Sequence, residues 1–425
     1  MTGRMRIPTY DFGWNVVAVL FLCTASLMGT SIYGFIMIAD SMARTHGWSD
    51  MAAGGLVSAM WLIAPLALFS APAIERYGPW RLIVAGLLIL ALAFAGLAIA
   101  TEFWQVYALR VLMGFGKVAI MTSVPVVVTR WFDLRFGTAI SIVWAGGSAG
   151  GIAVAPLVEY LDRTAGFQFT TLALASGIAA VAMLAALTAR AKPTPRATAA
   201  PASKAGHGTE RGDGAVRPAD ASRAIIACIV VATTALGCAN VAFLALKPQL
   251  FGSFGFDSHT TALIVGFNAA ASMTGALAIG WLTDRFGLAW PGVAVGGVYL
   301  AGMTTYLFLT AAPLTSVAVI AAMLAGLGGG AAEVLWMGLL KREASGLRFP
   351  VVYGAWYFAI QVGYAVGGFV GGWALAHLGA AGFILVAALA FSATPLFSTW
   401  RSIRLSDWGT GRPAPPAEPR VAALK

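Results

Sequence analysis

The 425-residue chain is 59% hydrophobic and only 10% charged, with a mean hydropathy of +0.81. Ordinary soluble domains carry about 25% charged residues, so this chain cannot clothe itself in a water-facing surface and belongs in a lipid bilayer. The net charge of +10 does not mark a nucleic-acid partner, because the basic residues are scattered through short connecting segments and two tails and form no basic face on a soluble domain.

The first residues, MTGRMRIPTYDFGW, lack the short apolar core and small-residue cleavage site of a removable signal, so the first apolar stretch reads as a retained helix. Crossing a bilayer takes about 20 mostly apolar residues, and backbone in lipid must satisfy its own hydrogen bonds. Six such helices are predicted at 14–38, 51–73, 82–100, 103–128, 136–158 and 167–188. The stretch 189–222 is rich in Ala, Pro, Gly and Lys/Arg, cannot bury a core, and reads as a flexible linker. Six more helices follow at 224–246, 260–283, 288–310, 315–339, 350–375 and 379–400. The expected architecture is an all-α membrane protein of twelve transmembrane helices: a six-helix bundle over 1–188, the linker, a second bundle over 223–404, and a tail over 405–425.

With the amino terminus in the cytoplasm, the cytoplasmic segments hold 22 of the 27 Lys/Arg, the opposite side holds Arg44, Arg163 and Lys247, and Arg110 and Lys117 lie inside the fourth helix. The positive-inside rule then places the linker and both termini in the cytoplasm, and the Ala- and Gly-rich composition points to a bacterial inner membrane. Cys23, Cys228 and Cys238 fall inside apolar runs, and His46, His207, His259 and His377 fall in predicted loops. Neither set has the spacing of a metal site, a disulfide framework or a nucleophile triad, so no metal, no cofactor and no enzymatic activity are expected.

Two turns repeat. Glu75-Arg76-Tyr77-Gly78 follows the second helix and Asp284-Arg285-Phe286-Gly287 follows the eighth. With six helices on each side of a basic linker, this marks a duplicated bundle. The glycine permits a tight turn, and the acid can cap the amino terminus of a neighbouring helix. Such turns would latch the two halves in one access state.

At these residues the chain resembles the major facilitator superfamily, whose hallmark turn reads Gly-x-x-x-Asp-Arg-x-Gly. Gly280, Asp284, Arg285 and Gly287 match it, while Ala71 and Glu75 replace the glycine and aspartate in the first copy. Three further stretches resemble the monocarboxylate-porter and oxalate-formate-exchanger branch: Asp11 to Trp14, Trp131 to Ala139, and Ala332-Glu333 through Gly346-Leu347-Arg348 to Tyr353-Gly354. The sequence departs from that branch at Ala276, where an arginine commonly meets the substrate carboxylate, and it has no Lys or Arg between Tyr353 and His377.

A charge in mid-membrane costs at least about 2.5–3.5 kcal/mol on the insertion scale, so Arg110, Lys117 and Glu333 stand out. Arg110, Gly114, Lys117 and Met121 share one helical face. The resemblance implies that helices 1, 4, 7 and 10 line a central cavity, with this stripe on the substrate path and Glu333 in the opposite half. One reading has Arg110 and Lys117 attracting an anion, with Glu333 as a proton site or a released counter-ion. The other is a permanent structural pair between the halves. Tyr33, Asn240, Asn268, Trp336, Tyr357 and Gln361 are further candidates to orient a ligand or simply to pack.

Small-residue ladders, Gly146, Gly147, Gly150 and Gly151 in the fifth helix and Gly363, Gly367, Gly368, Gly371 and Gly372 in the eleventh, allow close contact or sliding. The run Gly326 to Gly330 lacks the lysine and preceding strand of a phosphate loop. The expected function is secondary transport of a small organic anion, a monocarboxylate for preference, by alternating access, with proton symport or anion exchange and a monomeric protein. An efflux pump for amphipathic compounds is the alternative. A membrane enzyme lacks its His, Asp or Cys cluster, and a channel suits the duplication poorly.

Overall fold

Apolar runs without partner strands leave intrahelical hydrogen bonding as the solution in lipid, and the computed structural model, which describes residues 13–48, 56, 59–132, 135–189, 219–343 and 349–404, is helical with no strand among them. Helix α1 (Gly13–Met28) passes through a π-helical turn (Gly29–Gly34) into α2 (Phe35–His46), making one crossing. The second crossing is a 3-10 helix (Met60–Phe69) continued by α3 (Ser70–Tyr77). Helices α4 (Pro79–Leu97) and α5 (Phe103–Trp131) follow. Helix α6 (Phe136–Thr188) is broken at Gly166, φ 79°, into the fifth and sixth crossings.

The second half repeats the plan with α7 (Ala219–Ser253), α8 (Ser258–Phe286), α9 (Ala289–Phe308), α10 (Thr315–Glu343) and α11 (Phe349–Arg404). Helix α11 is divided at Gly379, φ 67°, into the last two crossings. Helix α7 starts inside the predicted linker; 190–218 and the tail 405–425 lie outside the described residues.

Eight described stretches are long and apolar enough to cross a membrane, and one of them, Phe136–Thr188, holds two crossings. The second crossing is split between two helix types, α7 offers the shorter apolar stretch Val230–Phe243, and glycines, threonines and tyrosines dilute α9. Pro65 explains the irregular second crossing, since it has no N–H to donate to the preceding turn. His46 and His377 end helices instead of lying in loops, each with Nδ1 at its i−4 carbonyl, 3.0 Å from Met42 O and 2.9 Å from Trp373 O.

The duplication is visible in the backbone. Left-handed glycines pair as Gly47 with Gly255, Gly78 with Gly287 and Gly166 with Gly379, which are 208, 209 and 213 positions apart. Each closes the equivalent inter-helix turn in its half. The outside of the bundle is apolar, as lipid requires, with Leu92, Met183, Phe308 and Leu389 well exposed and Trp104, Trp281, Trp290 and Trp373 exposed near helix ends, where an aromatic belt sits.

The glycine ladders seat helices against main chain. A Cβ on Gly146 would strike Phe21 O, and one on Gly150 would strike Ala25 O, so the fifth crossing lies flush on α1. Gly363 and Gly367 of α11 meet Thr234 O and Cys238 O of α7 in the same manner, and Gly326 and Gly330 of α10 meet Asn268 O and Ser272 O of α8. Gly150→Val is therefore expected to overpack the contact and destabilise by about 1–3 kcal/mol, whereas Gly177→Ala, with nothing within 4 Å of the added carbon, should leave thermal unfolding in detergent unchanged or slightly raised.

Candidate functional site

Helix α5 carries both embedded cations, and they sit in different surroundings. Arg110 is 1% exposed. Its Nε donates to Leu56 O at 3.3 Å, one terminal nitrogen donates to Ser31 O at 2.5 Å, and the guanidinium lies 3.9 Å from the centre of the Phe35 ring. Ser31 sits in the π-helical turn, where its hydroxyl donates to Leu27 O. Arg110 thus ties the π-helical turn of the first crossing to Leu56 of the second.

Two turns along the same face, Lys117 is 3% exposed, and its Nζ has no hydrogen-bond partner among the described residues. The ammonium rests 3.1 Å from the centre of the Trp61 ring, and the Arg110 charge reaches it. A desolvated cation–π contact returns about 2 kcal/mol, short of the several kcal/mol that burying an ion costs. The charge of Lys117 is therefore left uncompensated by the groups around it.

Trp61 bridges to the second half. Tyr364 of α11 meets it edge-on at 5.5 Å and 84°. Tyr364 in turn lies within electrostatic reach of Glu333, Tyr357 and Tyr299. The Glu333 charge also reaches Tyr33, Tyr299 and Tyr353. One carboxylate of the second half thus lies within electrostatic range of tyrosines from both halves. Tyr33, on the π turn, packs its ring against Gly151 of the fifth crossing and stays 44% exposed.

Of the other predicted candidates, Gln361 donates from Nε2 to Tyr357 Oη at 3.3 Å, one turn away. Trp336 is buried with its Nε1 unpartnered among the described residues. Asn268 donates to Ala322 O at 2.7 Å, which ties α8 to α10, and Asn240 is half-buried on α7. Trp61, Tyr299, Tyr353 and Tyr364 were missed. Tyr353 and Tyr364 lie i−4 and i+7 from Tyr357, a spacing that would have found them; Trp61 sits in an apolar run and gives no such signal. Among the described residues, no group of three or more His, Cys, Asp or Glu is placed to hold a metal.

At the end of the molecule bearing the two repeated turns, the halves are hydrogen-bonded together. The Asp284 carboxylate accepts from Gly137 N at 2.8 Å and from Thr138 N and Oγ1 at 2.7 and 2.6 Å, capping the amino terminus of α6. Gly280 packs on Gly137 and Ser141 there. Lys341 of α10 donates to Phe132 O at 3.0 Å and lies 4.3 Å from the Phe136 ring centre. In the mirror position, Gly354 of α11 sits on Ala67 O and Ser70 Oγ, beside the turn of Glu75, Arg76 and Gly78.

A sequence model described as Major Facilitator Superfamily matches residues 19–237 and, a second time, 225–423. The chain belongs to the major facilitator superfamily. It is therefore a multi-pass membrane protein, and its two matches are its two halves. The proton:xylose symporter XylE shares the fold at a TM-score of 0.65 and 13% identity, over 92% of this chain and 95% of that one. The fucose:proton symporter FucP of E. coli does so at 0.63 and 16%, over 91% and 98%. An MFS-type transporter of Phoma sp, eupM, is 30% identical over 32% of this chain and 47% of its own length. The matched regions span less than half of the length of such curated relatives. These relatives are fungal MFS-type transporters and carry no support for the monocarboxylate branch. In the superfamily turn Asp284 caps α6 and Gly287 has a positive φ of 75°, and Ala276, at the position of the branch arginine, is buried.

Proposed function

We propose that the protein moves a small organic anion of the monocarboxylate class across a cytoplasmic membrane by alternating access, with Lys117 as the anion site and Glu333 as the proton-binding group of a symport cycle. The observation that carries this reading is the Lys117 ammonium, buried with the aromatic face of Trp61 in place of a hydrogen-bond acceptor. An incoming carboxylate supplies the acceptor. Arg110 acts through the backbone of the first two crossings and adds positive potential at Lys117.

The basic residues favour a cytoplasmic position for the linker, for both termini and for the end latched by Asp284. On that placement the structure corresponds to a state closed to the cytoplasm by the Asp284 contacts. Replacing Asp284 with alanine removes three hydrogen bonds to a charge, each worth about 1.5–3 kcal/mol, and should shift the balance of states roughly tenfold or more towards the inward-open one. A cysteine at Ser141, buried against Gly280, would then be labelled faster by maleimide in Asp284→Ala than in the parent; equal rates would remove the latch role.

Thermal stabilisation by a panel of small carboxylates, inorganic anions and amphipathic cations tests the anion site, since a ligand that binds the folded state raises its melting point. A carboxylate should stabilise the wild type, and Lys117→Met should weaken its binding by roughly 10- to 100-fold, the value of a charge-assisted hydrogen bond. Stabilisation by cations alone, indifferent to Lys117, would refute the reading. It would favour the efflux alternative, which draws support from the aromatic lining of Trp61, Tyr353, Tyr357 and Tyr364.

A further inference from the structure

Lys117 Nζ stands 3.1 Å from the centre of the Trp61 indole, which Tyr364 braces edge-on at 5.5 Å. An ammonium this close covers the middle of the ring. A carboxylate reaching Nζ must come in at the rim of the indole, so the carbon skeleton behind it lies along an aromatic wall. Two and three turns before Tyr364 on α11, Tyr357 and Tyr353 stack with rings 6.2 Å apart. The wall offers faces and edges of rings, which favour another ring over an aliphatic chain of equal size.

The charges limit the ligand as well. Arg110 directs its guanidinium to the carbonyls of Ser31 and Leu56, and the residue at the other customary arginine position is Ala276. A second carboxylate on the ligand therefore finds neither position ready to receive it. Building on the anion-site reading above, we infer that the site selects monocarboxylates with a planar aromatic or conjugated body, and that Trp61 is the residue setting this preference. In the empty protein the indole face holds the ammonium. When a carboxylate draws Nζ aside, the same face receives the ring of the substrate.

The test is a titration of the purified full-length protein with benzoate, cinnamate, cyclohexanecarboxylate, acetate and succinate, followed by calorimetry, in the wild type, Trp61→Phe, Trp61→Leu and Lys117→Met. Benzoate and cinnamate should bind roughly three- to tenfold more tightly than cyclohexanecarboxylate, with succinate weakest. Trp61→Phe should keep that gap and Trp61→Leu should close it. Equal affinity for benzoate and cyclohexanecarboxylate in the wild type, with binding still lost in Lys117→Met, overturns the aromatic preference and leaves the anion site standing. A gap that persists in Trp61→Leu overturns the role of Trp61. Carboxylate binding that is absent, or indifferent to Lys117, overturns both. If Trp61→Leu does not fold, the wild-type ratio decides.

Discussion

Arg110→Ala should unfold the protein more readily than any other single truncation on the α5 stripe, while Lys117→Met, only two turns away, should leave the melting point unchanged or raise it. The guanidinium is the donor for Ser31 O and Leu56 O and lies over the Phe35 ring. Without it two carbonyls at membrane depth lose a partner, at about 1–3 kcal/mol each, and a cavity opens beneath the π-helical turn. A loss of about 3–5 kcal/mol is the usual result of breaking such a buried charged contact. Arg110→Lys keeps the charge without the planar fork and should fall between.

Lys117 presents the reverse case. Its ammonium has no hydrogen-bond partner among the described residues, so methionine, of similar length and apolar, removes an uncompensated charge at the expense of one cation–π contact. Melting curves of detergent-purified variants without ligand give the comparison. If Arg110→Ala melts like the wild type yet no longer binds anions, the guanidinium belongs to the substrate and the backbone role assigned to it is wrong.

Much of the fold was legible because lipid leaves a chain few choices. Apolar runs of about 20 residues gave the helices, and the recurrence of an acid-Arg-aromatic-Gly turn at Gly78 and Gly287 gave the duplication that the left-handed glycines display. The turn chemistry was legible too: an acid near a helix start predicts a cap, and Asp284 caps α6. The two non-α stretches were not readable. A π turn at Gly29–Gly34 depends on Arg110, which lies 79 positions beyond Ser31, and a 3-10 helix at Met60–Phe69 leaves the apolar pattern untouched.

The site was legible only in its charges. Arg110, Lys117 and Glu333 announce themselves because ions in lipid are costly, but one helical face carrying two cations does not say which of them faces a backbone carbonyl. That division arises from the first and second crossings, which bring Ser31 and Leu56 to Arg110 and Trp61 to Lys117. The tyrosines within electrostatic range of Glu333 come from the π turn, α9 and α11, a convergence that spacing along any one helix cannot encode.

Glu333→Gln should abolish proton-driven accumulation while sparing exchange of substrate across the membrane. The carboxylate lies within electrostatic range of Tyr33 in the first half and of Tyr299, Tyr353 and Tyr364 in the second. In a symport cycle the loaded carrier changes state with this side chain protonated and the empty carrier returns with it ionised, so one proton travels with each substrate, and the ionised form is the costly one at membrane depth. Glutamine imitates the neutral form permanently. The variant therefore changes access state without a proton, so a pH gradient can no longer drive it, whereas a carboxylate bound at Lys117 still crosses in both directions. In proteoliposomes the wild type should accumulate carboxylate against its gradient when the outside is acidified, and Glu333→Gln should equilibrate it at a rate independent of the imposed pH difference. Accumulation that survives in Glu333→Gln would exclude this carboxylate as the proton carrier. A wild type that exchanges but never accumulates would instead assign Glu333 the counter-ion role, released from the anion site each time substrate arrives.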